Sequence, residues 1–130
     1  MIDAYIATPY SHSLEEIRTK RFKEAAWVVS ECIKNGLVVF SPIVHSHPVA
    51  TEFALRTDWP FWHKSDEIFL GCCRELWVIQ FDRWETSKGM GVEKLIAEKL
   101  KIPIYQIRPE DLGTVIERFN EQYPPSRTLS

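Results

Sequence analysis

Glycine is scarce in this chain, at five residues in 130, and cysteine is scarcer still, at three. Cys32, Cys72 and Cys73 are odd in number and two are adjacent. That pattern fits a disulfide framework poorly and suits a reduced, cytoplasmic setting. No apolar run approaches the ~20 residues that span a bilayer, so no membrane helix is expected. Excess positive charge is also missing. A net charge of −2 argues against a nucleic-acid binder that works through a broad basic face. The opening "MIDAYIATPY" lacks the basic segment and apolar core of a secretory signal. Internal repeats and low-complexity segments are absent. What remains is ordinary for a soluble globular protein, with 45% apolar and 26% charged residues. A chain of this size buries about two-thirds of its unfolded surface. The expectation is one domain over residues 1–123 and a tail, "PPSRTLS", over 124–130. Five tryptophans are many for 130 residues. They line a pocket or an interface, or fill the core.

Hydrophobic spacing sets the expected elements. "IDAYIA" at 2–7 reads as a buried strand, followed by the loop "TPYSHS". Ser13 and Glu16 match an S-x-x-E capping box, so a helix is expected from about Leu14. Ile17, Phe22, Ala25, Ala26, Val29, Cys32 and Ile33 recur at helical spacing, and Asn35-Gly36 ends the run with Gly36 as a left-handed cap. "LVVFS" at 37–41 reads as a strand covered on both faces, with "PIVHSHP" as the loop beyond it. From Thr51 to Cys73 the pattern is helical but broken near Trp59-Pro60. "ELWVIQF" at 75–81 is the third strand, "DRWETSKG" a polar loop, 90–100 a helix and "IPIYQI" at 102–107 the fourth strand. Pro109 opens a last helix with Leu112, Val115, Ile116 and Phe119 on its apolar face. Strands alternating with helices predict a three-layer αβα sandwich around a small parallel, flavodoxin- or Rossmann-like sheet of four to five strands. Ligands bind such sheets beyond the carboxyl ends of the strands. Three polar loops collect there, at 8–13, 42–50 and 82–91.

Two of the five glycines fall in the last of these loops, in "SKGMGVE", residues 87–93. A loop entering a helix brings free backbone N–H groups and the positive end of the helix dipole together. Gly89 and Gly91 would let a ligand approach the backbone, and Ser87 adds a hydroxyl. The combination suits a phosphate or another anion. It is neither a Walker loop nor G-x-G-x-x-G. Glu93 is expected in the first helical turn, where the dipole favours the ionised carboxylate that a nucleophile needs. The plainer reading is a helix start with a favourable acidic residue.

"SKGMGVEKLIAEKLKIPIY" resembles the S-x-G-x-G-x-E stretch, followed by Ala and a strand, of the nucleoside 2-deoxyribosyltransferase-like superfamily. "AYIATPYS" resembles its first strand and loop, and "KSDEIFLGCCRELWVI" its Asp-bearing helix before the third strand. The layout, with "VVFSPIVHSHP", resembles the small bacterial and phage proteins grouped as DUF1937, over about residues 3–108. The resemblance implies that Glu93 attacks C1′ of a 2′-deoxyribose, that Asp66 contacts or protonates the leaving base and that Tyr5 holds the nucleophile. It implies substrate contacts from Ser87, Gly89, Gly91, Thr8, Pro9 and His45. Members acting on free nucleosides carry Asp at the motif's first position, whereas the 5′-monophosphate hydrolases carry Ser, as Ser87 does here. A hydroxyl tolerates a phosphate that an aspartate would repel. The hydrolases also carry G-x-I-R in the first loop. "TPYSHS" has no Arg, and Lys88, Arg18 or His12 would have to replace it.

Other residues invite competing readings. His45-Ser46-His47 beside Cys72-Cys73 resembles a metal set, but the spacing is not that of C-x2-C or H-x3-H, and a pocket rim is the preferred reading. No metal or other cofactor is expected. Cys72 reads as core at a helix end. Asp58 and Glu67 share the broken helix with Asp66, and Glu67 competes with it if the register slips. Trp59, Trp62 and Trp84 stack on a base or bury a subunit contact. The favoured function is an N-glycosidic bond hydrolase or transferase. Its substrate is a small 2′-deoxynucleoside or its 5′-monophosphate, and a covalent deoxyribosyl-glutamate is the intermediate. The alternatives are a non-catalytic nucleotide-binding module of the same fold and an N-glycosidase acting on another nucleotide such as NAD. Neither nucleic acid nor membrane is expected as a partner. The resemblance implies a homodimer or higher homo-oligomer.

Overall fold

Alternation along the first strand decides which layer each side chain joins. The computed structural model describes residues 1–124. Strand β1 (Ile2–Ala7) sends Ala4 and Ile6 to one side and Tyr5 and Ala7 to the other, because successive strand residues face opposite ways. Strand β3 (Cys73–Ile79) divides in the same way, with Trp77 and Ile79 on the first side and Leu76 and Val78 on the second. Helix α1 (Glu15–Lys34) covers the first side through Val28 and Cys32, together with α5 (Leu112–Gln122) through Leu112, Ile116 and Phe119. Helix α3 (Trp59–Gly71), through Leu70, and α4 (Lys88–Lys99), through Met90 and Ala97, cover the second. With β2 (Val39–Phe40) and β4 (Ile104–Ile107) the sheet has four parallel strands in the order β2-β1-β3-β4. The chain is an α/β three-layer sandwich, as predicted.

Helix α2 (Pro42–Phe53) stands where the sequence suggested a loop. Pro42 occupies the first turn, where the missing N–H costs nothing, and Pro48 lies inside the helix. Ser41 caps the helix by accepting from the Val44 N–H at 3.1 Å. The break expected near Pro60 falls earlier, between Ala54, which closes α2 in a left-handed conformation, and Trp59, which opens α3. Pro60 therefore begins a helix rather than interrupting one. The capping box of Ser13 and Glu16 does not form. Helix α1 is capped at Leu14 without a side-chain bond, and the Leu14 N–H donates instead to His12 Nδ1 at 3.0 Å. Strand β2 is an edge strand of two half-buried residues, not one covered on both faces, and Val38 is exposed. Cys72 is exposed and Cys73 is the buried one of the pair, one residue out from the expected core position. Gly36 has φ +82°, the left-handed cap expected of it. Pro109 begins a short 3-10 turn, Pro109–Asp111, that leads into α5. Of the expected tail, residues 125–130 lie outside the described residues.

Candidate functional site

The second side of the sheet, between β1, α3 and α4, brings three predicted residues together. Tyr5 points to that side by strand alternation, Glu93 lies on α4 and Asp66 on α3. All three are buried. The Tyr5 hydroxyl donates a hydrogen bond to Glu93 Oε2. Asp66 and Glu93 both line a narrow cavity of about 50 Å³, with Thr8, Ser87, Gly89 and Met90. Tyr5 is not part of the wall. It stands behind Glu93, fully buried. Trp59 and Trp62 from the start of α3 line the same cavity. Trp62 is held there by an Nε1–H bond of 2.8 Å to the Arg56 carbonyl.

Helix α4 begins earlier than the sequence suggested, and this changes the electrostatics. Ser87 is the N-cap, accepting from the Met90 N–H at 3.3 Å. Glu93 is then in the second turn, not the first, so the helix terminus gives it less support. Burial dominates and pushes the Glu93 carboxyl up to about 8. The Tyr5 hydrogen bond opposes that rise and nearby Asp66 adds to it. The ionised resting glutamate expected from the sequence is therefore corrected: near neutral pH this carboxyl holds its proton. Burial also raises Asp66, to about 6, against a small opposite pull from His63. The Tyr5 phenol is pushed well above its usual range by burial and then by Glu93.

Two wall atoms lack hydrogen-bond partners among the described residues. They are Thr8 Oγ1 and Asp66 Oδ1. Buried polar atoms are rarely left so, and both belong to residues that line the cavity.

Other predicted positions divide. Ser87, Gly89 and Thr8 line the cavity, and Pro9 lines an adjoining groove. Gly91 does not line it. It is exposed, and a Cβ there would meet nothing within 4 Å. His45 is exposed on α2, its ring against Phe40, Phe69 and Trp62, outside the cavity wall. Its neighbour His47 is the buried histidine, sharing a 2.6 Å hydrogen bond with the Tyr10 hydroxyl and stacking on Phe22. Burial lowers the His47 pKa. Glu67 is exposed, so it does not compete with Asp66. Asp58 lines the cavity but is paired with Arg56 through two bonds of 2.6 and 2.8 Å. Trp84 packs on the second core beneath Lys94 and is not in the wall. Among the described residues no three His, Cys, Asp or Glu side chains gather as a metal set.

Tyr10, Ile43 and Ser46 also line the cavity, and the sequence reading assigned them no role. Ile43 and Ser46 come from the segment 42–50 expected near the ligand, but only as a helix does it specify which side chains face the cavity. The pair Ser41-Pro42, an N-cap followed by proline, was the signal for that helix.

The chain belongs to the family described as "Domain of unknown function (DUF1937)", whose profile matches residues 3–108. That span contains the cavity residues and the four strands except Ile2, the first residue of β1. No curated protein matches the sequence.

Proposed function

We propose that this protein cleaves or exchanges the N-glycosidic bond of a 2′-deoxynucleoside or its 5′-monophosphate. The reading joins the motif resemblance to the nucleoside 2-deoxyribosyltransferase-like superfamily with one observation. Glu93, held by Tyr5, shares a cavity with an Asp66 whose buried Oδ1 has no partner among the described residues. A retaining reaction needs such a pair of carboxyl groups. An ionised Glu93 oxygen bonds to C1′ of the sugar. The C1′–N bond breaks, its electron pair stays on the base, and the base takes a proton from Asp66. Water then attacks C1′, the ester C–O bond breaks, Glu93 returns as carboxylate and Asp66 takes the proton from water. A second base in place of water makes the reaction a transfer.

Glu93 and Asp66 need one proton between them for this sequence. Tyr5 favours the ionised form of Glu93 by donating to it. Trp59 and Trp62 offer faces on which a base can stack.

A non-catalytic nucleotide-binding role is favoured by a different observation, the raised Glu93 pKa, which leaves few nucleophilic carboxylates near neutral pH. The two readings separate when the pure protein is incubated with each deoxynucleoside, each deoxynucleoside 5′-monophosphate and a nicotinamide dinucleotide. Free base from any of them supports an enzyme. Saturable binding with no base release supports the module, and release from the dinucleotide alone moves the substrate to another nucleotide.

A further inference from the structure

Beside the cavity runs a much larger groove, of about 770 Å³. The two share Tyr10, Ser11, Trp59, Ser87 and Gly89 as wall residues. Four cations face the groove. Lys20 and Arg21 lie on the α1 face that also carries Ile17 and Glu24, at helical spacing, and Arg83 and Lys88 come from the segment between β3 and α4. Two carboxylates, Glu24 and Asp82, face it as well. In a chain of net charge −2 this excess of positive charge is local.

The cations are not used up by the protein. Arg21 donates to the carbonyls of Tyr10 at 3.3 Å and Ser11 at 2.8 Å, which ties the first loop to α1. Lys20, Arg83 and Lys88 have no carboxylate within ion-pair distance among the described residues. Arg83 is held at φ +68°, an uncommon conformation for a residue with a side chain. Thr86 fixes it there by donating its N–H and its hydroxyl to the Arg83 carbonyl at 3.2 and 3.1 Å. The first residues of α4, Lys88 and Gly89, have backbone N–H groups with no intrahelical acceptor, and both line the groove.

We propose that this groove binds a chain of two or more phosphate groups on the substrate, so that the preferred ligand is a nucleoside carrying a 5′-diphosphate, free or bridging to a second group. One phosphate would satisfy the end of α4 alone. The groove is of the size that holds a drug-sized ligand, and its three unpaired cations lie on both walls. The sugar's place at the cavity mouth rests on the glycosidic reading above, whereas the charge of the groove does not.

The test is equilibrium binding, by calorimetry at fixed ionic strength, with no turnover needed. The ligands are a deoxynucleoside, its 5′-monophosphate, its 5′-diphosphate, a dinucleotide with a bridging diphosphate, and inorganic pyrophosphate, run for each base. The expected result is a diphosphate at least about tenfold tighter than the monophosphate, as one or two further charge-assisted bonds give. The difference narrows as salt is added. Pyrophosphate alone should bind and compete. The exposed pair Lys20→Ala/Arg83→Ala should lose the diphosphate gain and keep the monophosphate affinity, with an unchanged melting temperature. A dinucleotide that binds as tightly as the free diphosphate identifies the bridging form, and one that binds more weakly the terminal form. Equal affinity for mono- and diphosphate, no pyrophosphate binding, or a gain that survives the double substitution each overturns the proposal. Diphosphate binding without base release from any ligand would leave the groove standing and remove the glycosidase. Base release with no diphosphate preference would do the reverse.

Discussion

Glu93 is pulled in two directions by its surroundings. Burial favours its neutral form, and the Tyr5 hydroxyl favours the ionised one. Asp66 is raised by burial to about 6 and Glu93 to about 8, so between these values the two hold a single proton. The proposed chemistry needs that one-proton state, with the proton on Asp66 at the moment of attack. Base release should therefore follow a bell-shaped pH profile, with limbs near 6 and 8. Steady-state kcat/KM measured from pH 5 to 10 checks this, and a rate that only rises through pH 9 contradicts it. Stability carries the same signature. A glutamate whose native pKa is about 8 binds a proton in the native state that the unfolded chain, with an ordinary value of 4.5, releases. Native protein then holds more protons than unfolded protein between those values, so Glu93 lowers stability as pH rises through them. Glu93→Gln keeps an acceptor for Tyr5 and removes the titration. It should stabilise the fold by at least about 1 kcal/mol at pH 9 and by little at pH 4, read from urea midpoints.

At the scale of elements, α4 carries the site, and its two glycines differ. Gly89 lines the cavity, and a methyl there would lie 3.9 Å from the Trp59 ring. Gly91 faces open space inside the helix without a positive φ. Gly91→Ala should stabilise the protein by about 0.5–1 kcal/mol in denaturant melts and leave ligand binding unchanged. A loss of binding would mean that Gly91 approaches the ligand after all. The spacing places this helix at about 90–100, but it starts two residues earlier, at Lys88, because Ser87 caps it. That offset moves Glu93 from the first turn to the second, but it is burial that reverses the expected charge state. Tyr5, Asp66 and Glu93 were legible as candidates through the motif resemblance. Their meeting in space follows from strand alternation and from α3 and α4 sharing one face of the sheet, neither of which a local pattern specifies. Helix α2 is hard to read because Pro48 lies inside it, where proline is normally a breaker, although Pro42 is harmless in the first turn. The apolar run at 37–41 suggests a strand covered on both faces, but composition alone does not say which strand ends a sheet.

For the whole molecule, the side of the sheet opposite the cavity supplies the anchorage. There Glu75 of β3 is 1% exposed and accepts from Arg118 of α5 at 2.8 and 2.9 Å, and from Trp77 Nε1–H at 2.7 Å. Arg118 also lies over the Tyr105 ring at 4.2 Å. This cluster ties the last helix to a central strand. Removing one partner of a buried pair leaves a charge without compensation. Arg118→Ala should cost roughly 3 kcal/mol in a chemical denaturation curve, while the cavity on the other side keeps its ligand affinity. A cost below about 1 kcal/mol would show that the pair adds no more than a surface contact does.

The proposed chemistry stands or falls on Glu93 as the nucleophile. The most direct test is to incubate the wild-type chain and Glu93→Ala with the substrate found in the base-release panel, quench both and measure free base and protein mass. With Glu93 as nucleophile, the wild type releases base and carries a deoxyribosyl adduct on the peptide containing residue 93. Glu93→Ala should show neither and keep a native circular dichroism spectrum. Base release by Glu93→Ala at a comparable rate would contradict that role.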